Sequence, residues 1–320
     1  MKVSTDLNLR PDLFEARGRR ERESIAASLA EADARPVTVG MFQMRNHCGG
    51  QAGKARNLER MLDAMRVGHA HGVTVMAMPE MCLPGYFTPV SGSVAQAIAD
   101  THALTDVVGE SDALAQLMAA ARTYAMVLAF GFAERDGEAV YNSIGLVDAD
   151  GACLGTRRKN PLYPWDFELK PFTEPEPAYR SAVFDTAVGR IALANCFDGE
   201  FPESVRQMRC EGAERLLWCN APCGDPAAGT SSRFVEAGGH ARANAMWIAC
   251  CCCVADHTTG SSIAFAPSGE PLVLLSPDEE ELGIAVVNLA RATSWPMRRP
   301  RLCAQVQPQP HLRNAAPGNV

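Results

Sequence analysis

Three residues of types that can perform nucleophilic chemistry each follow a predicted strand. Glu80 comes after the apolar run VTVMAM, Lys159 after a strand that begins at the DADG turn, and Cys196 after GRIALAN. Open α/β sheets bind ligands at the edge where such strands end, so we expect the three side chains to meet. A carboxylate can accept the proton of a thiol, and an ammonium group can stabilise developing negative charge. Taken singly, a Glu or Lys at such a position is more often solvated surface.

The stretch GRIALANCFDGEFPE favours Cys196 as a nucleophile. A buried strand ends at Cys196, and Pro202 marks the start of the next helix. Main-chain N–H groups after the strand favour thiolate over thiol and can also stabilise an oxyanion. The alternative is that Cys196 is a small buried hydrophobic residue, as most other cysteines of the chain must be.

The elements that position these residues alternate between helices and strands. Apolar residues at helical spacing predict a helix over 54–71, and similar patterns predict helices at 111–124, after Pro202 and at 234–246. Short apolar runs predict strands at 37–44, 73–78, 125–132, 140–147, 183–186, 189–195, 215–219, 247–254 and 261–265. Adjacent strands joined by tight turns indicate an α/β chain with a mixed sheet.

Length, composition and charge exclude several classes of protein. The 320 residues are 47% hydrophobic and 21% charged, which is typical of a globular protein. A net charge of −7 opposes binding to nucleic acid or to anionic membranes. We see neither a membrane span nor a secretory signal, so we expect a cytoplasmic protein whose twelve cysteines are mostly reduced.

The quoted segments resemble those of the carbon-nitrogen hydrolases of the nitrilase superfamily. PEMCLPGY is similar to that family's glutamate segment, RRKNPLYP to its lysine segment and NCFDGEFPE to its cysteine segment. The resemblance extends through FAERDGEAVYNSIGLVDADG, ARANAMW and SSIAFAPSGEPL. It implies an αββα sandwich with mixed sheets at residues 37–301, which forms a four-layer homodimer or a larger homo-oligomer. Residues 1–36 would then be a helical or frayed N-terminal extension and residues 302–320 a C-terminal tail.

The same resemblance implies cysteine-based hydrolysis of a small-molecule amide or carbamoyl compound, with no cofactor and no metal. Glu80 would be the general base, Cys196 the nucleophile, and Lys159 with the Phe197 main-chain N–H would stabilise the oxyanion. A second glutamate is implied between the lysine and the cysteine. Glu168, in WDFELKPF, is our preferred candidate, and Glu174 and Glu176 are its rivals.

The residues after Cys196 bear on the substrate. Nitrile-cleaving members of the family carry Trp-Glu there and carbamoyl-amino-acid hydrolases carry an arginine pair shortly after, whereas this chain reads CFDGE. We therefore expect amides rather than nitriles, and no clamp for a substrate carboxylate. Asp198, Glu200 and Asp256 could attract a cationic or polar group, although each is more often structural. Three departures from the family pattern are Pro161, the EPEP segment and the run Cys250–Cys253.

Nitrile hydrolysis by the same Glu80, Lys159 and Cys196 remains an alternative, and so do two functions of other classes. CNAPC at 219–223 and the run of four cysteines suggest a metal or redox site, but consecutive residues of a strand alternate between faces and cannot converge on one ion. A scaffold or regulatory protein without activity is the other. Core packing does not require Glu, Lys and Cys at strand ends, which favours an enzyme.

Overall fold

The computed structural model describes residues 1–4, 15–86, 93–164, 172–176, 182–222, 232–255 and 258–291. The helices are α1 (Glu15–Ser28), α2 (Gly50–Ala70), α3 (Val94–Ala103), α4 (Asp112–Tyr124), α5 (Pro202–Cys210) and α6 (Arg233–Asn244), and a short 3-10 helix spans Cys196–Glu200. The strands are β1 (Lys2–Ser4), β2 (Pro36–Gln43), β3 (Val75–Ala77), β4 (Val127–Asp136), β5 (Ala139–Val147), β6 (Cys153–Arg158), β7 (Val183–Thr186), β8 (Gly189–Asn195), β9 (Arg215–Asn220), β10 (Trp247–Cys252), β11 (Ile263–Phe265), β12 (Pro271–Leu274) and β13 (Glu281–Asn288).

The strands form two mixed sheets. The seven-stranded sheet has the order β1-β13-β2-β3-β4-β5-β6, and the six-stranded sheet has the order β12-β11-β10-β9-β8-β7. In each sheet the central strands are parallel and antiparallel strands flank them on both sides. The outermost strand of the seven-stranded sheet, β1, pairs in parallel with β13. The α/β class and the mixed sheets predicted from the sequence are confirmed.

Alternating side chains divide the core into three apolar layers. One layer fills the space between the two sheets, from Val39 and Val75 on one side to Leu193 and Leu217 on the other. A second packs α2 and α4 on the outer face of the seven-stranded sheet, and a third packs α5 and α6 on the six-stranded sheet. The result is the expected αββα sandwich.

Helix α4 shows how the sequence sets the local structure. The side chain of Ser111 accepts a hydrogen bond from the Leu114 N–H and caps the helix start, which lies one residue after the predicted bound. Leu114, Leu117 and Ala121 are buried at helical spacing. The helix ends at Tyr124, and the next residue, Ala125, has a left-handed φ of 47°.

The N-terminal segment contacts both sheets at one end of the sandwich. Strand β1 pairs in parallel with β13, and Ile25 of α1 is buried in the layer between the sheets. Asn288 of β13 donates to the main-chain oxygen and the hydroxyl of Ser28, each at 3.1 Å. The sequence reasoning had not predicted strands β1, β12 and β13. Within the described ranges, the helices are all too short or too polar to cross a bilayer.

Candidate active site

Glu80, Lys159 and Cys196 meet at one end of the sandwich. Glu80 lies three residues after β3, Lys159 directly follows β6, and Cys196 directly follows β8. Strands β3 and β8 belong to different sheets, so the site forms where the two sheets face each other. All three residues are buried, with exposed fractions of 0%, 2% and 7%.

Glycine at position 131 allows the Glu80 segment to approach strand β4. The Gly131 N–H donates to the Pro79 carbonyl at 3.1 Å, and the Leu83 N–H donates to the Gly131 carbonyl at 3.0 Å. A Cβ at position 131 would lie 2.2 Å from the Met81 nitrogen. Any side chain there would therefore displace the backbone that carries Glu80.

The carboxylate of Glu80 accepts hydrogen bonds on both oxygens. Lys159 Nζ donates to Oε1 at 2.9 Å, and Asn142 Nδ2 donates to the same oxygen at 2.7 Å. The main-chain N–H of Ala221, just after β9, donates to Oε2 at 3.0 Å. The carboxylate thus has an ion-pair partner and two further donors, which offset the cost of burying a polar group.

The backbone at Cys196 makes a sharp turn. Its φ is 48°, a left-handed value that is uncommon for residues other than glycine, and its carbonyl accepts a 2.7 Å hydrogen bond from Trp218 Nε1. The same indole packs against Gly199, where a Cβ would lie 2.3 Å from the ring. Trp218 and Gly199 thus hold the turn that presents the thiol.

Several groups act in opposite directions on the Cys196 thiol. Burial and the negative charge of Glu80 raise the pKa of Cys196 well above its usual value. The positive charges of Lys159 and Arg233 and the Ala221 N–H lower it. The free protein therefore holds this sulfur mainly as a thiol, and a nearby base must take its proton before the sulfur can attack.

Asn142 ties the three catalytic candidates together. Its side chain donates to Glu80, and its main-chain oxygen accepts the Lys159 N–H at 2.8 Å. Asn195, the residue before Cys196, donates to the Asn142 side chain at 2.9 Å and to its main-chain oxygen at 3.1 Å. The sequence reasoning did not single out Asn142. A signal was present, because Asn142 is a polar residue within the apolar strand VYNSIGLV.

Both acidic residues that follow Phe197 are engaged in ion pairs. Asp198 is fully buried and bonds Arg157 Nε at 2.7 Å, and it also accepts the main-chain N–H groups of Asn160 and Asn195 at 3.1 Å. Glu200 pairs with Arg233. Asp198 thus joins the lysine segment to the cysteine turn rather than facing a cavity.

Arg233, at the start of α6, is the charged residue that sequence reasoning missed. Its Nη2 lies 3.8 Å from the Cys196 sulfur, and its guanidinium lies 5.1 Å from the centre of the Trp218 ring. The side chain is 7% exposed and is held by Glu200 and, at 2.6 Å, by Glu236. The segment SSRFVEAGG contains no sequence motif that would identify Arg233 as a residue of the active site. Arg233 reaches the site only because α6 packs on the six-stranded sheet.

Phe197 contributes its ring to an aromatic cluster. It packs edge-on against Tyr163 at 5.2 Å and against Phe201 at 5.0 Å between ring centres. Tyr163 and Phe201 are exposed by 38% and 37%. The cluster therefore lies where the buried site meets solvent.

The remaining candidates are exposed or lie outside the described residues. Glu168 and Asp256 lie outside the described residues. Glu174 and Glu176 are exposed. Among the residues that the structure describes, no group of three or more His, Cys, Asp or Glu could hold a metal ion. Cys250 and Cys252 face the helices and Cys251 faces the other sheet, as alternation in a strand requires.

The sequence of the chain is similar to that of proteins of known activity. The profile of a family described as carbon-nitrogen hydrolase matches residues 38–297. Citrullinase of Francisella tularensis is 31% identical over 174 residues, which are 54% of this chain and 58% of that protein. N-carbamoylputrescine amidase of Arabidopsis thaliana is 29% identical over 164 residues, which are 51% of this chain and 52% of that protein. The match thus spans little more than half the length of these two relatives.

The fold is also similar to that of a solved structure. The crystal structure of an amidase from Nesterenkonia sp. superposes with a TM-score of 0.66 and covers 81% of this chain and 92% of that one. The two sequences are 24% identical. At this identity the likeness concerns the fold, and the chemistry must be argued from the residues of the site.

Proposed function

Because the chain belongs to the carbon-nitrogen hydrolase family, we propose that it hydrolyses a non-peptide C–N bond in a small amide or N-carbamoyl compound through a thioester on Cys196. The observation that carries this proposal is the convergence of Glu80, Lys159 and Cys196 in one buried site. The Ala221 N–H hydrogen-bonds the Glu80 carboxylate and also lowers the pKa of Cys196, so base and thiol share one contact.

The first half of the reaction forms the thioester. Glu80 accepts the Cys196 proton as the sulfur attacks the carbonyl carbon of the substrate, and negative charge develops on the carbonyl oxygen. Lys159 and the Phe197 N–H stabilise that charge. Glu80 then returns the proton to the nitrogen of the leaving amine or ammonia, the C–N bond breaks, and the acyl or carbamoyl group remains on sulfur.

The second half releases the product. Glu80 takes a proton from water as the water oxygen attacks the thioester carbon. The C–S bond breaks, and the sulfur regains the proton from Glu80. The side chains of this site suffice for both steps. Glu168, if it joins the site, would position Lys159 or the substrate.

The names of two relatives favour carbamoyl compounds as the first substrates to test. Citrulline and N-carbamoylputrescine, after which those proteins are named, both carry a ureido group. We propose that this chain accepts a ureido or simple amide substrate in preference to a nitrile, since Phe197 and Asp198 replace the Trp-Glu pair of the nitrile-cleaving members. Asp198 and Glu200 are each already paired with an arginine of this chain. We therefore do not expect either carboxylate to be the main contact for a substrate cation.

The test combines turnover with trapping of the intermediate. The purified protein is incubated with a panel of amides, carbamoyl amines, carbamoyl amino acids and nitriles, and intact mass spectrometry follows the chain. We expect ammonia or amine release together with an adduct on Cys196 whose mass identifies the acyl group. Cys196→Ala is the matched control and should abolish both. Turnover that persists in Cys196→Ala would refute the thioester mechanism.

We further propose that the protein acts in the cytoplasm and that residues 37–301 form the hydrolase domain. The ten cysteines in the described part of the chain are free thiols, which suits a reducing compartment. Subcellular fractionation would test the location. Truncation before Val37 would test whether residues 1–36 are dispensable.

A homodimer or larger homo-oligomer is proposed from the family resemblance. Light scattering coupled to size-exclusion chromatography would test it, and a monomeric mass would refute it.

A further inference from the structure

Arg233 occupies a position from which it acts directly on the reacting sulfur. Its Nη2 is 3.8 Å from Cys196 Sγ, which is within hydrogen-bonding distance for sulfur. The guanidinium is nearly buried, stacks near Trp218 and is held by carboxylates of Glu200 and Glu236. An arginine fixed on both sides cannot swing away from the sulfur without breaking two ion pairs.

The charges around the sulfur leave a specific task for this arginine. Glu80 and Lys159 are paired at 2.9 Å, so their fields at Cys196 oppose each other. Arg233 is paired as well, with Glu200 and Glu236, but both of these carboxylates lie closer to solvent. Its partners Glu200 and Glu236 are 28% and 31% exposed, so water screens them more strongly than it screens the 7% exposed guanidinium.

We propose that Arg233 is a catalytic residue that stabilises the thiolate of Cys196, and that Glu200 and Glu236 fix its position and moderate its charge. The inference rests on the proposed function, in which Cys196 is the nucleophile. When the Cys196 proton moves to Glu80, that carboxylate becomes neutral. The new thiolate then faces two cations, Lys159 and Arg233, and no negative charge from the base.

The electrostatic interaction between Arg233 and Cys196 shifts the pKa of each group toward its charged form. Burial acts to lower the pKa of Arg233, but the Cys196 sulfur when it is ionised and the carboxylates of Glu200 and Glu236 raise it, so the guanidinium stays charged. Other titratable groups face this centre from every packed element. They are Glu80 after β3, Arg157 at the end of β6 with Asp198, Lys159 after β6, Glu200 in the 3-10 helix, Cys252 on β10, and Glu236 and His240 on α6. His240 has a pKa lowered by burial and so stays neutral near pH 7.

The experiment measures the ionisation of Cys196 without any substrate. The rate of alkylation by iodoacetamide is recorded from about pH 5 to about pH 10, because only the thiolate reacts. Peptide mapping separates Cys196 from the exposed Cys48 and Cys210. Because the pKa of Cys196 is raised well above its usual value, the thiolate is a minor fraction over this range, and the alkylation rate at each pH reports that fraction. The rate–pH profile of the wild-type protein is the reference for the variants.

Four variants are expected to differ in the alkylation rate of Cys196. Arg233→Met should slow alkylation of Cys196 about tenfold or more at each pH, since loss of a nearby opposite charge raises a pKa by about one to three units. Arg233→Lys keeps the charge and should restore part of the rate. Glu236→Gln removes a carboxylate from Arg233 and should speed alkylation, because the pKa of Cys196 is lowered. Arg242→Met removes a cation from the same helix that bonds the Ser268 carbonyl, and it should change nothing.

The outcomes separate this inference from the proposed function. An unchanged alkylation rate of Cys196 in Arg233→Met would refute the role of Arg233, even if the enzyme hydrolyses amides. Slower alkylation in Glu236→Gln would refute it as well, and this variant remains informative if Arg233→Met does not fold. By contrast, failure of the proposed function would appear as turnover by Cys196→Ala, whatever Arg233 does.

Discussion

The side chain of Asn195 donates two hydrogen bonds to Asn142, at 2.9 Å to its side chain and at 3.1 Å to its main-chain oxygen. The two residues lie on strands of different sheets, β8 and β5. Asn142 in turn donates to Glu80 at 2.7 Å. The residue before the nucleophile is thereby linked through one side chain to the base, and the relative position of Cys196 and Glu80 depends on this link.

Replacing Asn142 by Leu should therefore lower activity more than stability. The change removes one of the two donors to Glu80 Oε1 and leaves the Asn195 side chain only the main-chain oxygen of residue 142 as acceptor, which costs about 1–3 kcal/mol in the free energy of unfolding. We expect kcat/KM to fall by about 100-fold or more because misplacement of catalytic groups is costly. Chemical denaturation and steady-state kinetics on a substrate from the panel measure both quantities. Asn142→Asp is a poor mimic, because its carboxylate would face Glu80, and should be at least as impaired.

From the Glu80–Lys159 pair we predict that removing one charge lowers stability more than removing both. Both side chains are 1% exposed, so Lys159→Met leaves a buried carboxylate without its counter-charge and should cost about 3–5 kcal/mol of stability. Glu80→Gln combined with Lys159→Met removes both charges and should recover much of that loss. Neither protein should hydrolyse a substrate. A double variant as unstable as Lys159→Met would show that the charge pair does not account for the cost.

We predict that replacing the buried Arg215 by Met stabilises the protein. It is 1% exposed between the sheets, and its Nε and Nη1 have no hydrogen-bond partner within the described part of the chain. Burial lowers its pKa to about 10, and Arg35 also acts in that direction, against the effect of Glu214. Arg215→Met should raise the free energy of unfolding at pH 7 by about 1–3 kcal/mol, because an apolar side chain avoids the desolvation of a charge.

The control for that substitution is Arg215→Lys, which keeps a buried charge and should not stabilise the protein. Thermal unfolding of the three proteins gives the comparison. If Arg215→Met were less stable than the wild type, the hydrogen bond that Arg215 Nη2 donates to the Val188 carbonyl would outweigh the cost of burying the charge, and the prediction would be wrong.

Glu214 predicts a pH-dependent contribution to stability. Burial acts to raise its pKa, but hydrogen bonds from Arg35 at 2.5 and 3.1 Å and from the Arg190 N–H at 3.0 Å lower it below the usual value. A depressed carboxyl pKa stabilises the fold above the unfolded value of about 4.3, and this stabilisation is lost as the pH falls through the folded value.

Glu214→Gln should accordingly cost about 1–2 kcal/mol at pH 7, a modest figure because Arg35 is half exposed. The difference from the wild type should shrink as the pH falls below about 4. Urea denaturation at several pH values measures it. Equal differences at neutral and acid pH would contradict an ionised Glu214 as the cause.

Local sequence patterns predicted the elements that carry the catalytic candidates. Strand ends before Glu80, Lys159 and Cys196 were readable because an apolar run followed by Pro, Asn or a Gly-containing turn marks such an end. These patterns depend on neighbouring residues only. The bounds of α4 and β5 accordingly differ from the predicted ones by one residue.

The short strands β1 and β12 were not predicted, because few residues and one proline in PLVL give no clear alternation. Strand β13 was also missed, although ELGIAVVN is apolar. Its place beside β2 depends on pairing with a segment more than 230 residues away. The spacing of residues within a short segment does not indicate which distant strand the segment will pair with.

The amino-acid sequence alone determined that a thiol, a carboxylate and an ammonium group stand at the ends of buried strands. Only the tertiary structure decided that Asn142 connects them, that Ala221 contributes its N–H and that Arg233 reaches the sulfur. The physical reason is that strand ends follow from local periodicity, whereas these contacts arise when two sheets stack face to face and a helix packs on the outer side of one. Side chains that are far apart in the sequence then lie in one buried site. Charges interact more strongly there than in water, because the effective dielectric constant is lower.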